Sequence, residues 1–314
     1  MIRALAAITV AATLLAGTPA AAVSTVDTAG DIVEVTGFGS DPGNLRMLRY
    51  TPPDLPAGRP VVLALHGCTQ NGASYGTDSG WVQLAQRWKF SVVLPEQRAT
   101  NNANRCFTWY DRADTSRGRG EVESIAQMVR RALADAGTTA KRSYVTGLSA
   151  GGAMTAAMLA TYPELFAAGG IVAGVAYRCA SSLVEAFSCM SPGRDLTPAA
   201  LGDAVRAASS HSGPWPEVTL WQGTADRTVA PSNARELVEQ WTNVHGVSST
   251  PTRTDTVAGH PHAVYADAME TFTILGMGHG QPVAPAQGCG RSAPYFLDAG
   301  ICAAARLAAS WALS

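Results

Sequence analysis

Residues 142–154, RSYVTGLSAGGAM, decide the fold. Tyr144 and Val145 close a short β-branched apolar run, Gly147-Leu148-Ser149-Ala150-Gly151 follows, and the small apolar residues 152–159 suit a helix. Strand, sharp turn and helix are the context in which G-x-S-x-G becomes a nucleophile elbow. The serine then occupies a strained turn, and the flanking positions must be glycine because a Cβ would meet the neighbouring strand or helix. Ser149 is the expected nucleophile, its Oγ directed out of the sheet. The Ala150 backbone N–H and the positive end of the helix would lie beside any oxyanion that forms. The competing reading is a glycine-rich turn without chemistry; an acid and a histidine in the right order downstream decide against it.

A chain of 314 residues accommodates one large α/β domain rather than two and a linker. A formal net charge of −1 and a charged share of 15% leave no basic stripe for nucleic acid and no field to steer a charged partner. Residues 1–22 combine Arg3, an apolar run over 4–16 and the small residues Ala20-Ala21-Ala22. That pattern is a secretory signal peptide cleaved after Ala20 or Ala22, leaving 23–314 as the catalytic domain. The run is shorter than the ~20 residues of a spanning helix, so no stable membrane association is expected after cleavage. The six cysteines, Cys68, Cys106, Cys179, Cys189, Cys289 and Cys302, all follow the signal peptide. An even number in an oxidising compartment reads as disulfides rather than a metal or redox centre.

Residues 31–35 and 45–51 alternate as half-exposed antiparallel strands do, whereas Val61-Val62-Leu63-Ala64-Leu65 is continuously apolar, like a parallel strand covered on both faces. It runs into His66-Gly67-Cys68-Thr69-Gln70. A His-Gly loop after a buried strand ahead of the serine is where hydrolases of this architecture place their second oxyanion donor, here the Cys68 N–H. His66 braces that loop, because the base follows the nucleophile and the acid in chain order. Cys106 lies in the loop after the next buried strand, 90–95, so it is paired with Cys68. This bridge contributes about 4 kcal/mol in the chain-entropy model. Trp109 is expected at the lip of the substrate site and Tyr110 is given no role. Arg117, Arg119, Glu121 and Glu123 read as the solvated start of an amphipathic helix over 121–136.

The alternation of strand, loop and helix is the doubly wound pattern. It is interrupted over 177–215 by an insertion that suits a lid or pocket wall, with Cys179 and Cys189 as its local disulfide. The strand 218–222 runs into Asp226, where a triad acid belongs; an Asx turn capping the next helix is the alternative role. His279 follows the last strand in GMGHGQP and is the expected base. His260 and His262 read as solvent-facing residues of a hairpin over 253–275, with no third ligand for a metal, and His211 and His245 as structural. Cys289 and Cys302 close a third loop worth about 3 kcal/mol in the same model. Residues 303–313 form a final helix.

Several motifs together resemble the catalytic domain of extracellular poly(3-hydroxybutyrate) depolymerases. They are LHGCTQNG (65–72), PEQRATNNANRCFTWY (95–110), RGRGEVESI (117–125), GLSAGGAM (147–154), WQGTADRTVAPSN (221–233) and GMGHGQPV (276–283). The resemblance runs in order through essentially the whole mature chain. It implies an α/β-hydrolase fold, a triad of Ser149, Asp226 and His279, Cys68 at the oxyanion loop, and neither cofactor nor metal. Depolymerases of solid polymer usually add a linker and a substrate-binding domain, and these 314 residues stop at the final helix. The expected substrates are therefore amorphous polyester or soluble oligoesters, or feruloyl or acetyl groups on plant xylan.

The expected protein is a secreted monomer that hydrolyses polyester or oligoester bonds through an acyl-enzyme. An acyltransferase would use the same residues with an alcohol in place of water, and a non-catalytic polymer-binding protein is the rival of another class.

Overall fold

The computed structural model describes Met1 and residues 31–314. The expected signal peptide, beyond Met1, lies outside the described residues. Ten strands form one sheet: β1 (Ile32–Val35), β2 (Arg46–Tyr50), β3 (Val61–Leu65), β4 (Ser91–Glu96), β5 (Ser143–Leu148), β6 (Ala168–Val172), β7 (Glu217–Gly223), β8 (Arg253–Val257), β9 (His260–Tyr265) and β10 (Met269–Ile274). Their spatial order is β1-β2-β4-β3-β5-β6-β7-β10-β9-β8. The six strands from β4 to β10 in that order are mutually parallel, and antiparallel strands finish both edges. The expected hairpin over 253–275 is thus a three-stranded meander whose last strand joins β7 in parallel. A short parallel pair, β11 (Gln281–Val283) and β12 (Phe296–Asp298), stands apart.

Alternation within the central strands divides the core in two. Val61, Leu63, Leu65, Val145, Ile171 and Leu220 face one layer of apolar side chains, and Val62, Ala64, Tyr144, Val172 and Trp221 face the other. The helices are α1 (Gly72–Asp78), α2 (Trp81–Trp88), α3 (Gly120–Asp135), α4 (Ala150–Thr161), α5 (Leu183–Met190), α6 (Pro198–Arg206), α7 (Ser232–His245) and α8 (Ala303–Ser310). Buried side chains of α3, α4, α6 and α7 fill the first layer and those of α1, α2 and α8 the second. Helices on both faces explain why β3 and β5 are buried at every position. After α8, Trp311 stacks on Tyr144 (centroids 4.8 Å apart) and Trp81 (5.7 Å), closing the second layer.

The insertion over 177–215 contains α5 and α6. Cys68–Cys106, Cys179–Cys189 and Cys289–Cys302 are all bridged.

Candidate active site

Because β3, β5, β7 and β10 are parallel, their carboxyl ends emerge on one edge of the sheet and their following loops converge there. Ser149 stands between β5 and α4 with φ 58° and ψ −118°, a costly backbone for a residue with a Cβ. The turn closes because its neighbours are glycine. A Cβ on Gly147 would lie 2.4 Å from the Gly151 carbonyl oxygen, and one on Gly151 would lie 2.2 Å from that of Leu65. The Ser149 N–H donates to Val172 O at 2.9 Å, tying the turn to β6.

Asp226 follows β7 and His279 follows β10. Thr224 N donates to Ile274 O at 3.0 Å and Ala225 N to Met277 O at 2.9 Å, so the two loops are joined to each other. The side chains form one line. His279 Nδ1–H donates to Asp226 Oδ2 at 2.8 Å, and Ser149 Oγ–H donates to His279 Nε2 at 2.9 Å. The Asp226 side chain is fully buried and the His279 ring nearly so. Oδ1 of Asp226 accepts from the N–H groups of Thr228 and Val229 at 2.9 Å each, and Gln222 Nε2 donates to Oδ2 at 3.2 Å. The Asx turn and the contact with histidine, alternatives in sequence, are thus made by two oxygens of one carboxylate.

The loop after β3 passes beside the serine: a Cβ on Gly67 would lie 3.5 Å from Ser149 Cβ. The N–H groups flanking Cys68 are engaged, Gly67 N by Gln70 Oε1 at 2.8 Å and Thr69 N by Asn104 O at 2.6 Å. Thr69 holds φ 65°, unusual for a β-branched residue. Ala150 is the first residue of α4, where a backbone N–H has no intrahelical acceptor. His66 is buried, and burial pushes its imidazole down to about 4. In that neutral state Nδ1–H donates to Gly67 O at 2.7 Å while Nε2 accepts from Gln97 N at 3.0 Å.

Two sequence expectations need correction. Glu121 is not part of a solvated helix start; it is 2% exposed. Its carboxyl accepts from Thr108 N at 2.9 Å and Gln97 Nε2 at 2.5 Å, and Gln97 Nε2 also donates to Cys106 O, beside the disulfide to Cys68. Thr108 Oγ1 lies 2.5 Å from Asp114 Oδ2 and 2.6 Å from Glu121 Oε1. One hydroxyl proton cannot serve two carboxylates, so Glu121 is the protonated partner, donating to Thr108, which donates to Asp114. Burial, aided by the Asp114 charge, raises the Glu121 carboxyl to about 8. The second correction is His262, which is 6% exposed rather than solvent-facing. Its ring stacks on Phe272 and lies between Asp255 (2.7 Å) and Glu270 (2.9 Å). His260 bonds Ala299 O and accepts from Leu275 N, and His211 and His245 contact the carbonyls of Pro214 and Pro216.

A cavity of about 490 Å³ opens above Ser149 and His279. Trp109 lines it, as do Tyr110 and Tyr295, neither of which has a role assigned from sequence. One wall is α5, through Leu183, Ala186, Phe187 and Met190. A signal for that helix was present: Ser182 and Glu185 have capping-box spacing, and Ser182 Oγ accepts from Glu185 N. Among the described residues no group of His, Cys, Asp and Glu is arranged to hold a metal ion, and no helix is long and apolar enough to cross a membrane.

The family model described as esterase PHB depolymerase matches residues 45–259. Poly(3-hydroxyalkanoate) depolymerase C of Paucimonas lemoignei is 49% identical over 280 residues, covering 86% of this chain and 67% of the relative. An acetylxylan esterase of Coprinopsis cinerea is 36% identical over 264 residues, covering 81% of this chain and 70% of the relative. Among solved structures, the acetyl xylan esterase from Aspergillus awamori superposes with a TM-score of 0.75 at 30% identity, over 80% of this chain and 94% of that one. The S-formylglutathione hydrolase of Staphylococcus aureus, at TM-score 0.53 and 12% identity over 79% of this chain and 89% of that one, shares the fold alone. The fold is that of the α/β-hydrolases.

Proposed function

The chain belongs to the PHB depolymerase family of esterases and is a carboxylic-ester hydrolase, and from that premise we propose that it cleaves poly(3-hydroxyalkanoate) or its oligomers by a Ser149-His279-Asp226 mechanism. The observation that carries the reading is the unbroken hydrogen-bonded line from Asp226 through His279 to Ser149, ending beneath a cavity walled by Leu183, Phe187 and Trp109.

In this mechanism Ser149 Oγ attacks the ester carbonyl carbon as its proton passes to His279 Nε2. Asp226 fixes the tautomer that leaves Nε2 free to accept and stabilises the imidazolium once it forms. The Cys68 and Ala150 N–H groups receive the tetrahedral oxyanion, with the N-terminus of α4 behind them. The imidazolium then gives its proton to the departing alkoxide, which leaves as the hydroxyl end of the shortened chain. Water attacks the acyl-enzyme with its proton taken by the same Nε2, and a carboxylic acid is released with Ser149 restored.

The large apolar wall suits the methyl and methylene groups of a hydroxyalkanoate chain, since each methylene moved out of water contributes about 0.8 kcal/mol. Secretion is part of the same reading. It is supported by three disulfides, which persist in oxidising compartments.

A second reading, deacetylation of xylan, is favoured by the 0.75 TM-score to the Aspergillus awamori enzyme and by a polar side of the cavity formed by Thr69, Gln70, Asn102 and Asn104. The test is a comparison of 3-hydroxybutyrate release from amorphous film with acetate release from acetylated xylan, using Ser149→Ala as the blank. Faster release from the film is expected. Acetate release without hydroxybutyrate would overturn the polyester reading.

A further inference from the structure

Among the described residues no segment covers the outer face of α5, which is apolar apart from the exposed Ser188. Among the described residues after Met1, the exposed large hydrophobic side chains are Leu183 (54%), Val184 (78%), Phe187 (62%), Leu275 and Tyr295. Three of these are on α5, and Leu183, Phe187 and Tyr295 also line the cavity above Ser149. A surface helix serving only as a pocket wall would carry mainly polar residues on its outward side, whereas Ser188 and Glu185 are the two polar residues of α5. Val184 is the most exposed of the three and does not line the cavity. Glu185 is the one acidic or basic residue of α5, and its carboxylate is drawn back to the helix start, accepting from Ser181 N at 2.8 Å and Ser181 Oγ at 2.7 Å.

The face is held in place from behind. Cys189 is fully buried and bridged to Cys179, Ala186 is buried, and Met190 O accepts from Ala230 N at 2.8 Å and Asn233 Nδ2 at 3.0 Å. An apolar patch on a fixed helix, continuous with the mouth of a substrate cavity, marks a contact surface whose occupant is also the source of substrate. Among large occupants, the solid phase of a polyester meets both conditions, since its surface repeats the groups that enter the cavity. A net charge of −1 gives no electrostatic alternative for holding the protein there.

We propose that the outward face of α5, formed by Leu183, Val184 and Phe187 with Tyr295 across the cavity mouth, is an adsorption surface by which this domain docks on water-insoluble polyester. The inference rests on the polyester reading of the active site. Adsorption through this face sets the cavity against the solid, so that a surface segment of polymer reaches Ser149 without first dissolving.

The test uses the full mature protein carrying Ser149→Ala, so that adsorption is read without erosion, and measures depletion from solution over amorphous poly(3-hydroxybutyrate) particles. Val184→Glu and the pair Leu183→Ser/Phe187→Ser are each expected to weaken adsorption about tenfold, the equivalent of losing the burial of one apolar side chain. Adsorption of the parent should persist in high salt, which screens charges and leaves apolar contact intact. In the active protein Val184→Glu should slow film erosion while turnover of a soluble butyrate ester is unchanged, because Val184 lies outside the cavity. Undiminished adsorption of both variants would overturn the proposal, as would its loss in salt, or a dimer in solution that Val184→Glu dissociates. Cleavage of soluble oligomers with unaltered adsorption in the variants sinks the docking face alone. Variant-sensitive adsorption by a protein that cleaves no hydroxyalkanoate oligomer sinks the substrate reading and leaves the docking face standing.

Discussion

Asp226 Oδ2 accepts the Nδ1 proton of His279 at 2.8 Å, while Oδ1 of the same carboxylate accepts from two backbone N–H groups that follow it in the chain. One residue therefore holds the loop after β7 and orients the imidazole. The substitution Asp226→Asn separates these roles. Its Oδ1 can still accept from Thr228 and Val229, but its amide presents N–H to His279 and favours the wrong tautomer. A fall in kcat of about ten-thousand-fold is expected with little change in Tm, read by ester hydrolysis beside thermal unfolding.

Ser149→Ala, His279→Ala and the double variant should have residual rates within a small factor of one another, because the members of a triad act as a unit and their losses do not add. Additive losses would show that His279 and Ser149 act in separate steps.

The Cys68–Cys106 bridge tethers the loop that brings Cys68 beside Ser149 to the loop carrying Trp109. Cys68→Ser with Cys106→Ser should lower kcat by a factor of about 10² to 10³ and leave KM much less changed, the signature of a misplaced oxyanion donor. Two further disulfides and the two-layer core keep the variant folded, which circular dichroism would verify. An unchanged kcat would reduce the bridge to a structural role.

Glu121 gives the stability a pH dependence. Its carboxyl, raised to about 8 from 4.5 chiefly by burial, favours the protonated form in the folded state. The unfolded chain releases this proton at lower pH than the folded one. The contribution is therefore fully present below pH 4.5 and is lost as pH rises through 8. Glu121→Gln cannot titrate, so the difference in unfolding free energy between wild type and variant should shift in favour of the variant from pH 5 to about 9. The slope carries the test, since the amide alters the hydrogen bonds with Gln97 at every pH. A parallel pair of stability curves would contradict the protonated assignment.

His262, read from the sequence as a solvent-facing hairpin residue, lies on β9, one strand in from the edge of the sheet, wedged between two carboxylates. His262→Ala removes the ring stacked on Phe272 and leaves Glu270 and Asp255 without it. It should cost about 1 to 3 kcal/mol in denaturant unfolding while kcat stays near wild type. Loss of kcat in this variant with near-full activity in His279→Ala would reverse the assignment of the base.

Local chemistry explains what was legible in the sequence. The G-x-S-x-G turn names its own geometry, because glycine is required at Gly147 and Gly151 by backbone on both sides. Asp226 and His279 are read from their positions just past two strands, the segment 218–222 and the alternating segment 270–275. Burial of Glu121 was hidden because its partners, Thr108 and Gln97, belong to the loop after β4, and a helix start has the same composition wet or dry. His262 was misplaced for a related reason: period-two alternation gives the face of a strand, whereas the occupancy of that face depends on β10 pairing with both β9 and β7. The α5 wall was anticipated as a lid or pocket wall without its residues, since a mainly apolar stretch of eight residues does not announce which side faces a cavity.

In the proposed mechanism Ser149 is the nucleophile, raised to reactivity by His279. The most direct measurement is mass spectrometry of the folded protein after treatment with a fluorophosphonate, with ester hydrolysis followed in parallel. One adduct on the peptide containing Ser149 is expected, with activity lost in proportion to labelling and no adduct in Ser149→Ala. An active, folded protein that stays unlabelled, or whose adduct lies on another residue, would rule out Ser149 as the nucleophile.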